Sequence, residues 1–336
     1  MDDMELEDVA KALVAPSKGI LAADESTGTI KKRLDSINTP STEETRRDYR
    51  ELLLSTKGAG DFISGVILYD ETIRQKATDG RPLTELIKAQ GIIPGIKVDK
   101  GTKPLAFSDG ELVTEGLDGL RERLNEYREL GARFAKWRAV IAIKDGIPSQ
   151  YCIDVNSHAL ARYAALCQEA GLVPIVEPEV LMDGDHNIDE CYAVTETTLK
   201  TVFDELYQQR VVLEQMLLKP NMVISGSDCP EQADVEEVAS KTLYCFEQTV
   251  PAAVPGIVFL SGGQSEQQAT MHLNAMNQMG KFPWEISYSF GRALQASALK
   301  TWQGKPENVE AAQAAFHHRA KLTSAARDGE YRPDME

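Results

Sequence analysis

Two textures alternate along the chain. Short apolar runs rich in β-branched residues recur about every 30 to 40 residues, and most are separated by a charged, amphipathic stretch long enough for a helix. Eight runs predict strands, at 19–24, 62–69, 92–98, 134–139, 172–177, 216–220, 256–261 and 286–289. Helices are expected over 42–57, 117–130, 157–170, 189–209, 235–248, 266–279 and 292–302, with a further one near 308–323. The spacing recurs while the sequence itself does not repeat, which disfavours a solenoid.

Strand–helix alternation with eight strands predicts an α/β fold, a single (β/α)8 TIM barrel spanning 1–336 with a short C-terminal tail from about residue 324. An open doubly wound sheet would call for a glycine-rich dinucleotide turn after its first strand. Asp24-Glu-Ser-Thr-Gly28 is not one. In a barrel the chemistry sits at the C-terminal ends of the strands, so polar residues there are the informative ones.

Composition narrows the partners. A net charge of −16 with no basic run argues against nucleic acid or an anionic membrane surface. The first ten residues are acidic and lack a basic stretch followed by an apolar one, and no segment approaches the ~20 apolar residues that span a bilayer, so a cytoplasmic protein is expected. Five scattered cysteines fit a reducing compartment. The histidines show no spacing that presents two ligands to one metal, so a metal-independent mechanism is expected.

Charged residues cluster at the strand ends. Lys136 and Arg138 lie two apart, hence on one side of a strand, and Glu177 with Glu179 and Lys97 with Asp99 repeat the arrangement. With Asp24 and Lys219, four bases and four carboxylates gather in one interior. Buried charge costs several kcal/mol unless paired, so such a set persists as a satisfied network or as a site. A lysine beside another cation and withdrawn from water has a lowered pKa and attacks ketones as a free amine; Lys219, near Lys136, is the candidate. Glu177 and Glu179 offer carboxyl groups to move protons during imine chemistry, and Asp24 could deprotonate a hydroxyl. Ser261-Gly262-Gly263 and Ser289-Phe290-Gly291-Arg292 follow the last two strands and suit phosphate. Ser26, Thr29 and Arg33 could hold a second phosphate, and two separated anion sites imply a bisphosphate. A Schiff-base barrel acting on another sugar phosphate, as transaldolases do, and a binding protein on an inactive barrel are the rival readings.

The motifs Gly19-Ile-Leu-Ala-Ala-Asp-Glu-Ser-Thr-Gly28, Gly95-Ile-Lys-Val-Asp-Lys100, Phe134-Ala-Lys-Trp-Arg138, Val173-Pro-Ile-Val-Glu-Pro-Glu179, Leu217-Leu-Lys-Pro-Asn-Met222, Phe259-Leu-Ser-Gly-Gly-Gln-Ser265 and Gly291-Arg-Ala-Leu-Gln-Ala-Ser-Ala-Leu-Lys300 stand in order. In these the chain closely resembles class I fructose-1,6-bisphosphate aldolases from residue 1 to about 323. The resemblance implies a cytoplasmic, glycolytic and gluconeogenic homotetramer. It would cleave fructose 1,6-bisphosphate reversibly into dihydroxyacetone phosphate and glyceraldehyde 3-phosphate, with no cofactor beyond the covalent Schiff base. Lys219 would form that base, Glu177 would be the main acid/base and Asp24 would assist at the C4 hydroxyl, while Lys136, Arg138 and Glu179 would set charge and position. Ser261, Gly262, Ser289, Gly291 and Arg292 would take the C1 phosphate; Ser26, Thr29, Arg33 and Lys97 would lie towards the C6 phosphate. Three departures stand out. Thr29 occupies a common serine position, Phe290 a common tyrosine position, and the chain ends Tyr331-Arg-Pro-Asp-Met-Glu336 where the family carries a mobile tail ending in tyrosine.

Overall fold

The computed structural model describes residues 4–336; Met1–Asp3, part of the acidic first segment, lie outside the described residues. Eight parallel strands close into a barrel in chain order: β1 (Gly19–Ala23), β2 (Ile63–Leu68), β3 (Ile93–Lys97), β4 (Phe134–Ile141), β5 (Val173–Val180), β6 (Leu217–Leu218), β7 (Gly256–Phe259) and β8 (Glu285–Phe290). The ring closes where Ile20 of β1 pairs with Ser289 of β8. All eight predicted strands are present.

The two faces of each strand do different work. Outward residues such as Leu21, Ile96, Trp137 and Val176 pack with the surrounding helices in the larger core cluster. Inward residues are apolar at the bottom of the barrel, where Ile20, Ile67, Ile93, Phe134, Val173, Ile175, Leu217 and Val258 form a second cluster. Continuing by twos along the same strands gives Lys97, Lys136, Arg138, Glu177, Glu179 and Lys219. The strand period thus converts an apolar floor into a charged upper layer. Phe134 fills the floor, and glycines at 65 and 95 make room for it: a Cβ on Gly95 would lie 2.3 Å from the ring.

Helix Leu6–Leu13 closes the bottom, burying Val9, Ala10 and Leu13 against that floor. In sequence this segment reads only as an acidic terminus. Helices Thr27–Asp35, Asp70–Arg74 and Leu83–Ala89 and the hairpin Thr102–Pro104/Leu112–Thr114 are further elements absent from the sequence-based expectation. Helix Gln150–Glu169 starts seven residues before the predicted 157, because Ser149 is its N-cap and accepts the Cys152 N–H at 3.1 Å. The tail also needs correction. Helix Val309–Arg327 runs past residue 324, so the tail begins at Asp328.

That tail is docked. Tyr331 is buried, its N–H donates to Asn274 Oδ1 at 2.9 Å, and its hydroxyl donates to Glu336 at 2.8 Å. Buried Arg319 grips the same Glu336 carboxylate with contacts of 2.8 and 2.9 Å.

Candidate active site

The upper ends of the strands open into a cleft of about 1040 Å³. Its centre is one chain of charges. Lys136 Nζ lies 2.6 Å from Asp24 Oδ2 and 3.2 Å from Glu177 Oε2, and Lys219 Nζ lies 3.3 Å from Glu177 Oε1. Lys219, Lys136 and Glu177 are each at most 4% exposed. Local backbone sets these positions. The Lys219 N–H still donates to Val176 O at 2.8 Å, extending β6 by one residue, and Pro220 then ends the ladder. Arg138 and Glu177 are register partners on neighbouring strands, and Arg138 pairs with Glu179 one step higher. Lys97 pairs with Asp99, whose Oδ1 also accepts the Gly101 N–H at 3.0 Å.

Electrostatics separates the two lysines. Burial lowers the Lys219 pKa; Glu177 opposes the shift, Lys136 adds to it, and the net direction is down. Burial would do the same to Lys136, yet Asp24 and Glu177 outweigh it and raise Lys136 well above the ordinary lysine range. Asp24 would be raised by burial, but Lys136, Lys219 and Lys97 together hold its carboxyl well below the usual range. One lysine is thus kept charged and its neighbour is pushed towards the free amine.

Two anion-ready regions flank this centre. Ser261, Gly262, Ser289, Gly291 and Arg292 line the cleft, with Gly291 opening helix Arg292–Trp302. Ser289 Oγ is buried without a hydrogen-bond partner, and Arg292 Nη2 donates to Gly262 O at 2.8 Å. Gly262 has φ +57°, a conformation glycine adopts freely. On the other wall lie Ser26, Thr29, Arg33 and Lys97; the Ser26 and Thr29 hydroxyls are 3.1 Å apart at the start of helix Thr27–Asp35.

The cleft lining brings together every predicted site residue except Gly263. Gly263 turns away, its N–H donating to Met182 Sδ at 2.9 Å. Phe290 does not line the cleft either; it is buried beside Tyr288 with ring centroids 5.6 Å apart. No residue of 328–336 is in the lining. Sequence reasoning missed Lys32, Tyr69, Arg74, Lys100, Arg123 and Tyr127, which also line it. Except for Lys100, which ends the motif that begins at Gly95, they lie outside every motif, and the spacing rule that found strand residues does not reach them.

With this geometry in place, similarity settles the family. The family described as fructose-bisphosphate aldolase class-I matches residues 5–336. The chain belongs to the class I fructose-bisphosphate aldolases. Relatives include a probable fructose-bisphosphate aldolase class 1 of Xanthomonas axonopodis pv. citri, 60% identical over 98% of both chains. Fructose-bisphosphate aldolase 6, cytosolic, of Arabidopsis thaliana is 57% identical over 96% of this chain and 90% of that protein. Among solved structures, the fructose-bisphosphate aldolase of Plasmodium falciparum superposes with a TM-score of 0.96 at 51% identity, covering 97% of this chain and 95% of that one. Family and relatives make the chain a lyase. It cleaves fructose 1,6-bisphosphate to two triose phosphates by the Schiff-base route of class I enzymes.

Proposed function

We propose that Lys219 is the Schiff-base lysine and that the surrounding charges divide the remaining steps. The observation behind this is the contrast between two buried lysines that share Glu177: Lys219 is pushed towards the free amine and Lys136 is held charged. The free amine of Lys219 attacks the ketone at C2. Glu177, 3.3 Å from Nζ, carries protons as the carbinolamine forms and loses water. The resulting iminium draws the electrons of the C3–C4 bond, while Asp24 takes the proton of the C4 hydroxyl and the aldehyde leaves. Lys136 keeps Asp24 and Glu177 in place and offsets their charge. Arg138 and Glu179, paired with each other, fix the upper rim.

Ser261, Gly262, Ser289, Gly291 and Arg292 would bind the C1 phosphate, with the orphaned Ser289 hydroxyl ready to donate. Ser26, Thr29, Arg33 and Lys97 would face the C6 phosphate. The chemistry asks for no metal and no cofactor beyond the imine, and a cytoplasmic homotetramer is the state the family resemblance favours; mass photometry of the purified protein tests the latter.

Borohydride reduction in the presence of dihydroxyacetone phosphate, followed by peptide mass spectrometry, tests the covalent assignment. The expected adduct maps to Lys219 and disappears, with cleavage, in Lys219→Met. An adduct on another lysine, or wild-type cleavage by Lys219→Met, overturns it.

A further inference from the structure

Behind the second anion region lies a buried ionic cluster that reaches the cleft through Arg33 and the edge of Glu25. Glu25, 7% exposed, accepts two hydrogen bonds on one carboxylate oxygen and forms an ion pair with Arg50 through the other. Its Oε1 accepts from Arg33 Nη1 at 2.5 Å and from Gln295 Nε2 at 2.9 Å, and its Oε2 lies 2.7 Å from Arg50 Nη1. Arg50, 2% exposed on helix Glu43–Leu54, is absent from the cleft lining. Its guanidinium also donates to Ala23 O, and to Glu25 O at 3.2 Å, the two carbonyls flanking Asp24. The Gln295 carboxamide ties the cluster to helix Arg292–Trp302 and accepts the Tyr49 hydroxyl at 3.1 Å.

Charge counting gives the cluster a purpose. Arg33 alone with Glu25 would be a neutral pair, and its guanidinium would be spent on a neighbour rather than on a phosphate. Arg50 supplies a second cation to the same carboxylate, so the trio holds one net positive charge, and Arg33 is its most exposed member, its side chain at 24% against 5% for Glu25 and 3% for Arg50. A buried arginine here would be costly as a mere structural device, since the almost fully desolvated Arg50 shares its one anion with a second cation. We infer that Arg50 is a specificity-determining positioning residue: by neutralising Glu25 it frees the charge of Arg33 for the second phosphate and so favours bisphosphate over monophosphate ketoses. The inference rests on the proposal that Arg33 faces the C6 phosphate. Its fork to Ala23 O and Glu25 O separately steadies the peptide that carries Asp24, an effect common to all substrates.

The charge role and the clamp role separate experimentally. The quantity to measure is the ratio of KM for fructose 1,6-bisphosphate to KM for fructose 1-phosphate, which lacks the second phosphate. The ratio should rise about tenfold in Arg50→Met and stay within about twofold of wild type in Arg50→Lys, which keeps the charge but loses the fork. In Glu25→Gln, which leaves two cations unopposed, the ratio should fall. Loss of kcat on both substrates alike in Arg50→Lys reports the clamp. An unchanged ratio in Arg50→Met, or a raised ratio in Glu25→Gln, overturns the inference. If Arg50→Met fails to fold, Glu25→Gln decides. Arg33→Ala is run in parallel: if it leaves the ratio unchanged, the location of the second phosphate is wrong, a failure distinct from that of Arg50.

Discussion

Lys136 and Lys219 are chemically the same side chain in the same cavity, and their neighbours alone assign them different roles. Lys136 touches two carboxylates, Asp24 at 2.6 Å and Glu177 at 3.2 Å, whereas Lys219 shares only Glu177 and faces Lys136 as well. Replacing Lys136 by Met removes the like charge beside Lys219 and gives it the undivided field of Glu177. Both changes raise the Lys219 pKa, so the fraction of free amine at a given pH falls. The acid limb of kcat/KM should therefore move to higher pH in Lys136→Met, on top of a loss of rate of about 10²-fold or more as Asp24 and Glu177 lose their holder. A pH–rate profile with unmoved limbs would show that Lys136 acts only on the substrate.

Elements explain what the sequence could and could not reveal. The strands were legible because each is a short apolar run between turn signals, and the site residues because they sit two apart on those runs, as Lys136-Trp-Arg138 and Glu177-Pro-Glu179 do. Helix Leu6–Leu13 was not, since Glu7, Asp8 and Lys11 give eight residues a polar surface and its apolar stripe has meaning only against the barrel floor. Arg50 was hidden for a related reason. On helix Glu43–Leu54 it follows Arg46 and Arg47, and nothing in the pattern distinguishes the buried arginine from its half-buried neighbours. Glycine in a strand was equally mute, although Gly95 is a packing requirement. Its added Cβ would meet three Phe134 ring atoms between 2.3 and 2.5 Å away, and an aromatic ring on the barrel floor cannot swing aside. Gly95→Ala should cost about 3 kcal/mol in a urea unfolding experiment, and Phe134→Leu in the same chain should recover part of it. Additive losses in the double variant would mean that the ring is not the obstacle.

Across the whole molecule, pH acts through groups that burial has set apart. Burial depresses the His272 pKa from 6.5 to about 4, and its ring nitrogen meets Gln264 Oε1 at 2.5 Å. Burial also lowers His186, neither of whose nitrogens has a hydrogen-bond partner among the described residues. A histidine kept neutral in the native state is protonated first in the unfolded chain. As pH falls from about 6.5 towards 4, the unfolded state therefore binds more protons and stability declines. For His272 the span amounts to about 3 kcal/mol. Carboxylates act in a lower window. Asp24 is held down by Lys136 and Lys219 against its burial, and Glu336 by Arg319 and Tyr331 against its own; their contribution is present above the ordinary carboxylate range and is lost as pH drops through it. Two stages of acid destabilisation should follow, a histidine stage and then a carboxylate stage that also releases the tail from Arg319. Urea midpoints measured from pH 7 down to pH 5 report mainly the first, because this interval lies above the window in which Asp24 and Glu336 lose their contribution. His272→Asn keeps an amide able to meet Gln264 but has nothing to titrate, so its midpoint should fall less over this interval than that of the wild type. An equal fall in both proteins would place the histidine stage elsewhere, with His186 the next residue to replace.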